Sequence, residues 1–141
     1  MGAVFSPAKN RWQVLPFGAA APGIRANAVQ APLTSGLVVW GGLSHVQTQA
    51  GQLNKLHDTG ALLDWTSLQW RALSTTNAPS PRERAASGAT GDTLVVWGGV
   101  TQINGPCYDE RYCTLANDGA IYDAVNDRWT PMPSAGAPSP R

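Results

Sequence analysis

Leu94-Val95-Val96-Trp97-Gly98-Gly99 repeats Leu37-Val38-Val39-Trp40-Gly41-Gly42 at an offset of 57 residues. In each copy four residues of strand-forming type run straight into two glycines. A glycine pair directly after a strand permits positive φ, or close approach of a neighbouring backbone that a Cβ would block. Internal repetition of this kind is the sequence signature of a repeat architecture.

Working outward, a second series interlocks with the first. Gly2-Ala3-Val4-Phe5, Gly60-Ala61-Leu62-Leu63 and Gly119-Ala120-Ile121-Tyr122 share one pattern. The last residue of each, Phe5, Leu63 or Tyr122, lies seven positions before a tryptophan: Trp12, Trp70 or Trp129. Pro/Gly-rich bends follow the tryptophan segments, at Gly18–Gly23, Ala78-Pro79-Ser80-Pro81-Arg82 and Ala137-Pro138-Ser139-Pro140-Arg141. The last two are identical pentapeptides, and Pro22-Gly23-Ile24-Arg25 is a looser copy.

One unit therefore reads as four short strands, at residues 26–31, 37–40, 61–64 and 69–73. The next unit repeats them at residues 84–89, 94–97, 120–123 and 128–132. Segments this short need to be hydrogen-bonded together into a small twisted sheet. Both faces of such a sheet are partly apolar, so sheets must stack to hide them, which is the logic of a propeller blade. The expected role of the tryptophans is packing between sheets. Trp65 has no counterpart in the next unit, where Ala124 takes its place, and it is a candidate ligand platform.

Composition agrees. Fifteen Gly, eleven Pro and six Trp among 141 residues fit many turns between short strands. A net charge of +1 with 13% charged residues supplies no long-range field for nucleic acid or anionic lipid. No apolar run reaches the length of a membrane span. The first residues lack the basic-then-apolar pattern of a secretory signal. Met1-Gly2-Ala3-Val4-Phe5-Ser6 fits the short myristoylation template, but the repeat explains these residues better.

Two insertions, residues 43–59 and 100–118, break the regularity and differ most between the units. Irregular loops on a fixed scaffold are where binding usually resides. The second carries Cys107-Tyr108-Asp109-Glu110-Arg111-Tyr112-Cys113, which nominates Tyr108, Asp109, Arg111 and Tyr112 as contact residues. Cys107 and Cys113 admit a disulfide closing a small loop in an oxidising compartment, or two free thiols in a reducing one. Arg84, two positions after the bend arginine Arg82, is a further candidate able to take a carboxylate partner. His57-Asp58 aligns with Asn117-Asp118 as turn residues. Neither Gly-x-Ser-x-Gly nor His-Glu-x-x-His occurs, and no metal-ligand set is visible, so no catalytic residue, metal or cofactor is expected.

With these residues in view, the chain resembles the kelch repeat family. The second unit carries Pro81-Arg82, Gly98-Gly99, Tyr122-Asp123 and Trp129; the first carries Arg25, Gly41-Gly42, Asp64 and Trp70, with Leu63 where tyrosine is usual. Units near 58 residues exceed the usual kelch length of about 50, and the excess falls in the insertions. The resemblance implies an all-β, kelch-type β-propeller fragment with two complete four-stranded blades and partial blades at the ends. Its parts are residues 1–15 (outer half of a first blade), 24–73 and 81–132 (complete blades), and 133–141 (the start of another). The family implies a non-catalytic module binding a protein or glycan through variable loops, within a longer propeller. Unpaired blade faces would then favour self-association. Two alternatives are a fragment of a propeller enzyme of the galactose oxidase or sugar-modifying type, and a purely structural surface-protein repeat. The loop cysteines and low charge lean toward an extracellular or periplasmic protein over a cytoplasmic one.

Overall fold

The computed structural model describes residues 2–15, 18–49, 51–103 and 112–141. Fourteen strands follow one another among them, with no α-helix. They are β1 (Ala3–Ser6), β2 (Arg11–Val14), β3 (Val29–Pro32), β4 (Gly36–Trp40), β5 (Leu43–Thr48), β6 (Gly51–Leu56) and β7 (Gly60–Asp64). The series continues with β8 (Trp70–Ala72), β9 (Ala86–Thr90), β10 (Thr93–Trp97), β11 (Val100–Ile103), β12 (Cys113–Leu115), β13 (Gly119–Asp123) and β14 (Arg128–Pro131).

The repeat becomes two antiparallel sheets of identical order. Sheet I runs β3-β4-β7-β8 and sheet II runs β9-β10-β13-β14. Their registers coincide as well: Leu37 faces Leu63 and Trp40 faces Gly60, while Leu94 faces Tyr122 and Trp97 faces Gly119. A third hairpin, β1-β2, copies the outer two strands. Phe5 pairs with Trp12 as Leu63 pairs with Trp70 and Tyr122 with Trp129. The seven-residue gap seen in the sequence is this cross-strand register, and it places an apolar residue beside each tryptophan.

Burial along the repeated strand is out of phase between the two copies. In sheet I, Gly36, Val38 and Trp40 are the buried residues of β4; in sheet II, Leu94 and Val96 are the buried residues of β10. Successive side chains on a strand point to opposite faces. Val38 and Trp40 therefore face sheet II, whereas Leu94 and Val96, the counterparts of Leu37 and Val39, face sheet I. The core lies between the sheets, where Val29, Ala31, Val38, Trp40 and Leu62 meet Leu94, Val96, Tyr122 and Trp129. Trp40 and Trp129 pack with centroids 5.3 Å apart, and the Trp129 Nε1–H donates across to the Ser74 carbonyl at 2.9 Å.

The glycine pairs have matching surroundings. Gly41 and Gly42 adopt φ of 70° and 91°, and Gly98 and Gly99 adopt 64° and 94°. A Cβ on Gly41 would lie 2.9 Å from the Arg82 carbonyl, and one on Gly98 would lie 2.6 Å from the Arg141 carbonyl. Here glycine is required both by the left-handed backbone and by the contact.

The bend arginines lock this arrangement. The Arg82 Nη1 donates to the Gly98 carbonyl at 3.0 Å and the Asp118 carbonyl at 3.2 Å, and lies 2.9 Å from the Asp118 carboxylate. Arg25 repeats the pattern on Gly41 and Thr59 at 3.1 and 2.9 Å. Each side chain thus reaches the glycine turn of its own unit. The Arg82 backbone serves the unit before, donating to the His57 carbonyl and accepting from the Gly42 amide. Arg82 is fully buried, and a buried guanidinium is tolerable because its donors meet acceptors.

Two expectations need correction. The insertions are not irregular loops: residues 43–56 form the hairpin β5-β6, and β11 pairs with β12. Here strand pairing satisfies backbone groups that an irregular loop would leave to water. The alignment of His57-Asp58 with Asn117-Asp118 is also one residue off. His57 and Ala116 donate to the Gly42 and Gly99 carbonyls, so Thr59, not Asp58, is the counterpart of Asp118.

Candidate functional site

Both insertions begin at a glycine pair and return to it. The positive-φ turns of Gly42 and Gly99 send β5 and β11 out of the sheets, and backbone hydrogen bonds from His57 and Ala116 close the two bases. Bridges from Ala26 to Leu43 and from Glu83 to Val100 tie those bases to the start of each unit. Strand β11 packs against β6, so the two hairpins stand side by side. Equivalent roots thus carry unlike surfaces.

On β5-β6, Val46 lies directly opposite Leu53, and both are exposed, Leu53 at 58%. Alternation places Ser44 and Lys55 on the same face. An exposed cross-strand apolar pair gains nothing from the fold's own core. His45 Nδ1 lies 2.9 Å from Asn54 Oδ1, and Ser44 Oγ lies 2.8 Å from His57 Nε2. Burial holds the His57 proton affinity below the usual imidazole range, and the nearby Arg25 and Lys55 charges lower it further. His57 is therefore neutral at pH 7 and suited to hydrogen bonding rather than to anion binding. On β11-β12 the exposed polar groups include Thr101, whose hydroxyl donates to the Thr114 carbonyl at 3.2 Å, and Tyr112 is exposed beside Cys113.

At the hairpin bases sits a polar cluster. The Asn27 Nδ2 donates to the buried Glu83 carboxylate at 2.6 Å, and the Arg84 Nε lies 3.7 Å from it. Asn27 and Arg84 are equivalent residues with φ of 54° and 55°, and the Arg84 amide donates to the Asn27 carbonyl at 3.0 Å. Arg84 thus ties the two units by its backbone while its side chain stays half exposed. Its guanidinium already shares a carboxylate, which leaves part of its donor fork open to a second one.

Of the residues nominated from sequence, Tyr112 and Arg84 lie near the hairpins. Trp65 does not: its Nε1–H donates to the Leu33 carbonyl at 3.1 Å, joining two turns of sheet I. Tyr108, Asp109, Arg111 and Cys107 lie outside the described residues, and with Cys107 goes the choice between a disulfide to Cys113 and free thiols. Sequence reasoning missed Val46 and Leu53, because the apolar residues Leu43, Val46, Leu53 and Leu56 are spaced in threes rather than with the period of two that marks a strand.

The described residues contain no helix long and apolar enough to cross a membrane. A scan against protein-family models and a search of curated proteins match nothing to this chain. What the geometry itself defines is a class: an all-β protein of several small antiparallel sheets, two of them equal in strand order and register.

Proposed function

We propose that this chain is a stretch of kelch-type β-propeller and serves as a non-catalytic binding module. Its partner, a protein or a glycan, sits on the paired hairpins β5-β6 and β11-β12. One observation carries this: equivalent glycine turns raise two hairpins of unlike sequence, and one presents the solvent-exposed pair Val46–Leu53. A scaffold held fixed by Arg25 and Arg82 beneath surfaces that differ separates stability from recognition. The matched strand order and register of sheets I and II support the propeller part of the proposal. Thiol titration of the unreduced protein decides between the two states of Cys107 and Cys113 that the sequence admits: no reactive thiol means a disulfide, two mean free cysteines.

The test is V46S/L53S, assayed against wild type on a glycan array and by cross-linking in extract of the native cell. Loss of a partner that wild type retains, at unchanged melting temperature, supports the proposal. Equal retention by both proteins overturns the hairpin assignment. Turnover of a panel of sugar oxidation and hydrolysis substrates overturns the non-catalytic assignment.

A further inference from the structure

We infer that Ser44 is an acylation site: its hydroxyl attacks an activated medium-chain acyl ester or thioester, His57 takes the proton, and the acyl chain lies over Val46 and Leu53. The inference rests on the chemistry of one face of the β5-β6 hairpin and not on the identity of a macromolecular partner.

Three observations converge on Ser44. The first is its hydrogen bond. Ser44 Oγ lies 2.8 Å from His57 Nε2. With the imidazole proton on Nδ1, Nε2 accepts from the hydroxyl and stands ready to take its proton, which is how a serine becomes a nucleophile. The ring is carried on a fixed backbone, because the His57 amide donates to the Gly42 carbonyl and the His57 carbonyl accepts from the Arg82 amide. Ser44 and His57 are both half-buried, so a small ester can reach them.

The second is the state of the base. The charged groups that act on the His57 ring are Arg25, Lys55 and Asp58. Burial, Arg25 and Lys55 together outweigh Asp58, so the imidazole is unprotonated at neutral pH and free to accept a proton.

The third is what surrounds the hydroxyl. Lys55 lies directly opposite Ser44, where its ammonium can face the carbonyl oxygen that gains negative charge during attack. Val46 and Leu53 stand opposite each other on the same face, and both are exposed. They lie two residues along the strands, about 7 Å away, so an acyl chain of about eight carbons on Ser44 Oγ covers them.

In the reaction the bond from Ser44 Oγ to the acyl carbon forms as the bond from that carbon to the leaving oxygen or sulfur breaks. The serine proton passes through His57 to the leaving group, and nothing is oxidised or reduced. The product is an ordinary aliphatic ester, less reactive than the donor, so the acyl group stays on the protein as a single modification.

The probe is p-nitrophenyl octanoate, added to the full chain, with nitrophenolate release followed by absorbance and the adduct mapped by peptide mass spectrometry. One equivalent should be released and one octanoyl group found on Ser44. Ser44→Ala should abolish that adduct, and His57→Gln should slow its formation roughly tenfold or more. V46S/L53S should slow octanoylation roughly tenfold while leaving the rate with p-nitrophenyl acetate unchanged, since the shorter chain does not reach the pair. The wild-type rate should rise with pH and reach half its plateau below about pH 6.5, as His57 loses its proton. Where a variant fails to fold, the adduct map and pH profile of the wild type decide. An adduct on Lys55 or a cysteine instead of Ser44, equal rates in wild type and His57→Gln, or release continuing past one equivalent with no adduct retained would each overturn the inference.

Discussion

The Gly42 amide donates to the Arg82 carbonyl at 2.7 Å, and the Gly99 amide makes the same bond to the Arg141 carbonyl at 2.8 Å. One unit's glycine turn is thereby fastened to the arginine that opens the next. The bond repeats because a backbone without Cβ can come this close.

Gly41→Ala and Gly98→Ala should each destabilise the protein by about 2 kcal/mol or more, combining left-handed strain with the carbonyl contact. Gly88→Ala is the control: nothing lies within 4 Å of its Cβ position and its φ is ordinary. That change should be neutral or stabilising by about 0.5 kcal/mol. Urea unfolding of the three variants tests the contrast, which vanishes if all three behave alike.

Arg82→Met should cost about 3–5 kcal/mol, since the Gly98 and Asp118 carbonyls lose their buried donor. Arg25→Met removes the equivalent bonds from a partly exposed place, where water replaces them, and should cost about 1–2 kcal/mol. Equal midpoint shifts in denaturant would contradict this ordering.

The turn residues Asn10, Leu68 and Asp127 are equivalent, and all have φ between 45° and 54°. Only Leu68 brings a bulky side chain to that left-handed position. Leu68→Asn should raise stability by about 0.5–1 kcal/mol, read from thermal or urea unfolding.

The Tyr122 hydroxyl donates to Asp127 Oδ1 at 2.5 Å, and Arg71 Nη1 lies 3.1 Å from the same oxygen. Burial first, and then the bond to Asp127, push the Tyr122 pKa well above the usual phenol value. A raised folded-state pKa means this contribution is complete below the unfolded value of about 10 and fades as pH rises past it. Wild type should therefore lose stability above about pH 10, and Tyr122→Phe should lose that slope together with about 1–2 kcal/mol at pH 7.

Asp64 and Asp123 hold the turns after β7 and β13, accepting from Ser67 and from Asn126 respectively. Those hydrogen bonds hold both carboxylates below the usual range. Their contribution is present above the unfolded value of about 3.9 and disappears as pH falls toward the folded values. D64N/D123N should flatten the acid limb of a stability–pH curve below about pH 4, while leaving the alkaline limb as in wild type.

The strands of sheets I and II and their order were legible in the primary structure, because they are written in a spacing that repeats. The constant gap of seven residues in Phe5–Trp12, Leu63–Trp70 and Tyr122–Trp129 was visible there, and the structure showed that it sets the members of each pair opposite one another. The candidate site was less legible. Residues 43–59 read as a loop, since Ser44, His45, Gln47 and Asn54 dilute the apolar alternation of a strand that no core requires. Val46 and Leu53 became visible as a pair only once the hairpin register set them opposite each other.

Trp40 and Trp97 mark the division most clearly. Their local sequences are the same, and both were bound to end a strand before two glycines. Yet Trp40 is fully buried, while Trp97 is only half buried and its Nε1 has no hydrogen-bond partner among the described residues. Local chemistry gives a strand two apolar faces and fixes its register. Which face is covered depends on whether another sheet lies against it, and that is a property of the assembled molecule alone.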